Sequence, residues 1–120
     1  MRPFPEEYEL IGFFETEPEV LNPGIPWAFN ELIFRTESLN GTLVARMTAG
    51  SELLNLEWKQ GGEVAAQLDL KGVQSLYVGD GKNGHPINTL VAVFRDPNVS
   101  ALSVTIRPRI TLRWGYNDQR

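Results

Sequence analysis

From residue 27 onward the chain alternates apolar and polar positions with a period of two, interrupted by glycine and proline, which marks half-buried strands. Leu54, Leu56 and Trp58 alternate before Gly61-Gly62, and Val64, Ala66, Leu68 and Leu70 alternate after it. This predicts a hairpin. A three-residue loop, Gln60-Gly61-Gly62, pairs Trp58 with Val64, Leu56 with Ala66, Leu54 with Leu68, and Lys59 with Glu63. A two-residue loop would set Leu56 against Gln67 and Leu54 against Asp69, mixing the two faces. Asn40-Gly41 predicts a second hairpin, with Phe34 opposite Met47, Thr36 opposite Ala45 and Ser38 opposite Leu43. That register also opposes Arg35 and Arg46, a repulsive pair that Glu31 or Glu37 would have to relieve.

Ile87 to Phe94 is apolar on both faces and reads as a central strand. Asp96-Pro97-Asn98 reads as a turn. Leu102, Val104, Ile106, Ile110, Leu112 and Trp114 then all fall on even positions, with Arg107, Arg109 and Arg113 on the odd face. Pro108 keeps that parity but cannot donate to a ladder, so it marks an edge or a bend between sheets. A strand near Tyr8–Phe14 completes about eight strands. Short helices are expected only at the Glu-rich start or near Val73 to Tyr77. The expectation is an all-β, single-domain chain over residues 1–120, an antiparallel barrel or two-sheet sandwich with little helix.

Composition narrows the chemistry more than it defines it. Of the 120 residues, 42% are hydrophobic and 22% charged, ordinary for a folded domain. The absence of cysteine excludes disulfides, thiol catalysis and cysteine-ligated metals. The start has no signal-peptide pattern and no apolar run approaches a bilayer span, so a cytoplasmic protein without membrane contact is expected. The net charge of -4 is unevenly spread: residues 1–20 carry six glutamates against Arg2, whereas residues 101–120 carry four arginines against Asp118.

No catalytic signature stands out. His85, the single histidine, lies in Gly84-His85-Pro86 after Gly79-Asp80-Gly81-Lys82-Asn83, a context of turn residues rather than of a general base. Asp80 and Asn83 have the wrong spacing for a calcium loop, and no lysine–hydroxyl pair follows for a phosphate loop. Glu31, Glu37, Glu57, Glu63 and Asp69 fall on expected solvent faces rather than as a carboxylate pair. No cofactor or metal is expected.

Two regions remain as a candidate interaction surface. Arg107, Arg109 and Arg113 share a strand face and await either the acidic N-terminal segment, an acidic partner or a second subunit. Nucleic acid is disfavoured, because the run's one aromatic, Trp114, lies on the opposite face. The proline-rich stretch from Glu17 to Trp27 places Ile25 and Trp27 where they would cap the core or anchor a contact. The expected function is therefore non-enzymatic protein–protein interaction, as an inhibitor or immunity-type partner of a basic toxin or as an assembly subunit. The competing expectation is a barrel that binds a small ligand or carbohydrate at an end covered by the proline-rich loop.

Overall fold

In the computed structural model, which describes residues 1–26 and 29–115, alternation is realised as two antiparallel sheets. The first contains β1 (Glu19–Val20), β2 (Leu32–Ser38), β3 (Gly41–Thr48), β4 (Leu53–Gln60) and β5 (Glu63–Leu70), in sequence order. The second contains β6 (Val73–Val78), β7 (Leu90–Phe94), β8 (Leu102–Thr105) and β9 (Thr111–Arg113), again in order. Gly72, at φ 67°, lies in the short crossing from one sheet to the other. Within each sheet every strand pairs with its neighbour in sequence, and neither sheet closes on itself. The fold is a two-sheet sandwich, and the barrel reading, with its ligand-holding interior, is set aside.

The inner faces are those the periodicity names. Leu32, Phe34, Leu43, Ala45, Met47, Leu54 and Leu56 from the first sheet meet Val73, Leu76, Leu90, Ala92, Leu102 and Val104 from the second, all buried. At roughly 1.5–3 kcal/mol for each large side chain fully removed from water, this layer is the main stabilising term. Side chains fill the space between the sheets.

One side of the sandwich is closed by α1, Glu7–Phe14, which begins in the Glu-rich start named as a helical candidate and replaces the strand expected near Tyr8–Phe14. Leu10, Phe13 and Phe14 stand at i, i+3 and i+4, a helical spacing that the local alternation of Tyr8 and Leu10 disguises. Their burial is decisive: the Phe14 ring stacks on Phe34 at 4.5 Å, with Phe13 edge-on at 4.9 Å. The Glu9 carboxylate accepts the Glu6 amide at 3.0 Å, and acids in the first turn suit the helix dipole. The segment before α1 lies along β6: the Arg2 amide donates to Gln74 O at 2.8 Å, and the Leu76 amide to Pro3 O at 3.0 Å. These bonds hold Val73–Val78 in the sheet, so the second helical candidate is a strand.

Both anticipated hairpins form, with corrected registers. Across Gly61-Gly62 the loop has two residues, at φ 57° and 82°, so Gln60 pairs with Glu63 and Lys59 with Val64. A bulge at Ala65 then shifts the ladder, and Trp58 meets Ala66, Leu56 meets Leu68 and Leu54 meets Leu70. The objection to a two-residue loop assumed a regular ladder; one extra residue restores the parity. The β2–β3 turn is Leu39-Asn40, giving Phe34 opposite Ala45 and Thr36 opposite Leu43. Arg35 thereby faces Val44 instead of Arg46, and reaches Glu19 at 2.9 Å. The long even-numbered run is likewise a hairpin, β8–β9. Its pairing is symmetric about Pro108 (Ser103 with Arg113, Thr105 with Thr111), so the parity reads straight through the turn. Only Leu90–Phe94 of the expected central strand is strand, and Ile87 is exposed.

The β2–β3 turn also ties the two sheets together. Asn40 Oδ1 accepts the Ile110 amide at 2.7 Å and its Nδ2 donates to Ile110 O at 3.0 Å, so one side chain mimics a strand partner. Trp58 Nε1 donates to Asn40 O at 2.9 Å, and Ser38 Oγ donates to Pro108 O at 3.1 Å. Gly41 makes this approach feasible: it sits at φ 133°, and a Cβ there would fall 2.1 Å from Lys59 O. Replacing Gly41 with alanine is therefore expected to cost about 2–4 kcal/mol through strain and overlap. Asn40→Ala should cost about 1–3 kcal/mol by orphaning the Ile110 groups. Urea unfolding of both variants checks the order and the size of these losses.

Candidate interaction surface

The five residues singled out from the sequence do not make one patch. Ile25 belongs to the connection that enters β2 at Leu32, whereas Arg107 meets the same strand at Thr36, near its other end. Trp27 lies outside the described residues. The Ile25 loop is held from within by Asn30, whose side chain is buried beneath it. Asn30 Oδ1 accepts the Asn22 amide at 3.0 Å, and its Nδ2 donates to Ile25 O at 3.0 Å and to Asn22 O. Among the described residues of this connection, Asn30 thus fixes the backbone from Asn22 to Ile25, with Leu21, Ile25 and Phe29 left exposed.

The arginines have separate fates. Arg107, at the β8–β9 turn, pairs with Glu15 at 2.5 Å and donates to Thr36 Oγ1 at 3.1 Å. Glu15 is placed for this by its left-handed conformation (φ 55°) at the end of α1. The acidic N-terminal segment therefore neutralises this arginine within the chain, as one of the alternatives required. The pair is exposed on both sides, so its contribution is small, at ~0–1 kcal/mol. Arg109 and Arg113 make no ion pair among the described residues and stay at the surface. Thr105 Oγ1 donates to Arg109 O at 3.1 Å and so shapes the turn.

The His85 loop is built by carboxylate and amide capping. Asp80 Oδ1 accepts the amides of Lys82 at 2.7 Å and Asn83 at 2.9 Å, and Asn83 Oδ1 accepts the His85 amide at 3.2 Å. His85 lies against Tyr77, ring centroids 5.1 Å apart. The amides of Lys82 and Asn83 hold the Asp80 carboxyl below its ordinary value of 3.8. On the other side, the Arg95 guanidinium donates to both oxygens of Glu52, lowering the Glu52 carboxyl and raising Arg95 in turn. Among the described residues, no three His, Asp or Glu side chains converge into a metal-binding group. No described helix is long and apolar enough to cross a membrane.

The strongly charged faces lie elsewhere than the arginine strand. Glu6, Glu7, Glu9, Glu15, Glu17 and Glu19 are carried on α1 and the segments that flank it, with Tyr8 and Leu21 exposed among them. The outer face of the first sheet carries a shallow trench of about 350 Å³ lined by Arg35, Arg46, Glu57, Lys59 and Asp69, with both polar and apolar neighbours. Its charges are mixed, and Lys59 pairs with Glu57 at 3.3 Å along one strand. Sequence reasoning missed the outer edge of β5, which no other backbone joins among the described residues, because edge status depends on sheet order and leaves no mark in the alternation.

No protein-family model matches the chain, and no curated protein matches it in sequence. One solved structure shares the fold. It is a chain of a contact-dependent growth inhibition toxin–immunity protein complex from Klebsiella pneumoniae 342, with a TM-score of 0.74 and 16% identity. The match covers 95% of this chain and 96% of that one.

The Asp80 capping yields a pH prediction. A carboxyl whose folded value is depressed contributes its stabilisation above its unfolded value and loses it as pH falls through the folded one. The Lys82 and Asn83 amide resonances should therefore titrate with a midpoint below 3.8, and Asp80→Ala should shift them to their acid-state positions at neutral pH. A midpoint at or above 3.8 in the NMR titration would show that the capping bonds do not hold the charge.

Proposed function

We propose that the protein is an immunity-type inhibitor that binds and neutralises a basic toxin by protein–protein contact, without chemistry of its own. The observation that carries this reading is the end-to-end match to a chain of a toxin–immunity complex. Each chain is nearly spanned by the other, so the likeness concerns whole domains and not a shared supersecondary motif.

Charge favours the inhibitor side over the toxin side. The net charge of -4 suits a cationic partner, because complementary charge speeds encounter and rejects wrong partners. An inhibitor needs a stable scaffold with a complementary face; a catalytic toxin needs converging reactive groups. Here His85 packs on Tyr77 within a capped loop, and the ion pairs Arg107–Glu15 and Arg35–Glu19 brace the fold. We read Arg107 as such a brace, and Arg109, Arg113 and Ile25 as peripheral to the toxin-facing surface. The cytoplasm is the compartment this reading assigns, since an inhibitor of an incoming toxin must wait where the toxin acts.

The test is growth protection. Candidate toxin domains of contact-dependent growth inhibition systems, induced one at a time in a bacterial host, should include one that arrests growth alone and permits growth when this chain is co-produced. The two should co-purify as a complex whose association rate falls at least tenfold between 50 mM and 500 mM salt, roughly the range over which exposed charges become screened. The Klebsiella toxin serves as a non-cognate control. Arrest that persists despite abundant folded protein would remove the immunity reading.

A further inference from the structure

The two sheets have four edges, and three of them are short or covered. β1 has two residues and β9 three. β6 is overlaid by the N-terminal segment through Arg2 and Pro3. β5 is different: eight residues long, bonded to β4 on one side, and joined to no other backbone among the described residues. The bulge at Ala65 disturbs its beginning, but Ala66 to Leu70 run in regular register with Trp58 to Leu54. No proline, lysine or arginine lies within this stretch, and Lys71 just after it is the one cation flanking it, although natural edges are commonly blunted by such residues along their length.

A row of unpaired amides and carbonyls specifies its occupant as extended backbone. Beside the edge, a cleft of about 420 Å³ opens between the two sheets, with an apolar part formed by Leu70, Phe94, Val99 and Trp114. Its rim carries Asp69 and Asp96 as well as Lys71 and Arg95, and Arg95 is already paired with Glu52. Trp114 stands 5.5 Å from Phe94 and is 47% exposed. An added strand would send alternate side chains toward the apolar part of this cleft and toward the outer face at Asp69.

Charge then selects the kind of strand. The two charged residues of β5, Glu63 and Asp69, are both acidic and exposed. A second copy pairing antiparallel over Ala66–Leu70 would bring the two Asp69 side chains within roughly 7–8 Å of each other, a diagonal like-charge contact between chains that each carry -4. A strand with lysine or arginine over Asp69 is favoured by the same geometry.

We propose that the free edge of β5 is the docking site for an extended, basic segment of a partner protein. This segment adds to the first sheet as a sixth strand, with an apolar side chain in the cleft beside Trp114. The inference deepens the immunity reading, on which it rests for the partner's basic character, by naming the surface involved.

The probe is a capped seven-residue peptide of alternating threonine and valine with one central lysine, compared with its glutamate twin. Hydrogen exchange of the full chain is followed by NMR at millimolar peptide. The lysine peptide should slow exchange of amides within residues 66–70 at least tenfold, and the glutamate peptide should do so less. Asp69→Lys, at an exposed position, should reverse that preference while leaving the spectrum of the core unchanged. Protection at α1 or elsewhere in place of β5, no protection at all, or equal effects of both peptides would overturn the proposal. A protective chain whose β5 ignores the peptides would be an immunity protein that binds by another face. Peptide docking without growth protection would leave the β5 site standing and remove the immunity reading.

Discussion

The two sheets are joined by only two covalent residues between β5 and β6, so their alignment depends on what bridges them elsewhere. Apolar burial pulls the layers together but is non-directional and leaves sliding cheap. Asn40 supplies the missing direction. Its side chain satisfies both the amide and the carbonyl of Ile110, while Trp58 Nε1 fixes its own carbonyl. One turn residue therefore sets the second sheet's last hairpin against the first sheet's central strands. The neighbouring contacts from Ser38 to Pro108 and from Arg107 to Thr36 act at the same junction and in the same sense. Gly41 follows because no side chain fits between this turn and Lys59.

That junction also explains which parts of the fold were legible in the sequence. Parity was, almost throughout, because burial decides it and burial is written in residue type: Leu54, Leu56, Leu102, Val104, Ile106 and Ile110 all lie inside. Register was not. Within one parity, ladders differing by two residues bury the same faces, and the choice falls to the turn and to bulges. Gly61-Gly62 with the Ala65 bulge, and Leu39-Asn40 with the Ile110 bridge, each moved the pairing by two. The second of these choices depends on a tertiary partner, Ile110, that is 70 residues away, and the first on a bulge that leaves no mark in the alternation. The same reason hid the β8–β9 turn: pairing symmetric about Pro108 leaves an unbroken pattern.

α1 shows the converse, a local signal too short to outweigh its alternative. Three apolar residues at helical spacing are persuasive only once Phe34 is known to offer a ring to stack upon. The site residues were less legible still. Arg107 was rightly tied to the acidic N-terminal segment as one alternative, because opposite charges in excess at the two ends had to be balanced somewhere. Ile25 and the arginines are separated by most of β2, a distance of roughly 10–15 Å at 3.3 Å per residue, and no linear pattern encodes that.

How the fold disposes of its edges bears on what it does. A sandwich of two meanders has four edges, and an exposed one invites pairing with other chains. Here covering is applied selectively. The N-terminal segment is spent on β6, the edge beside α1, while a two-residue strand and a three-residue strand end two others. Among the described residues, length and accessibility are left to β5 alone, and its two charges are of the sign that repels a second copy. A stable protein that leaves one long edge open needs protection from itself, and shared negative charge provides it without closing the edge to cations. On the proposed reading, the same charges that repel a second copy attract a basic strand, so protection of the edge and recognition draw on one feature of the surface rather than competing for it.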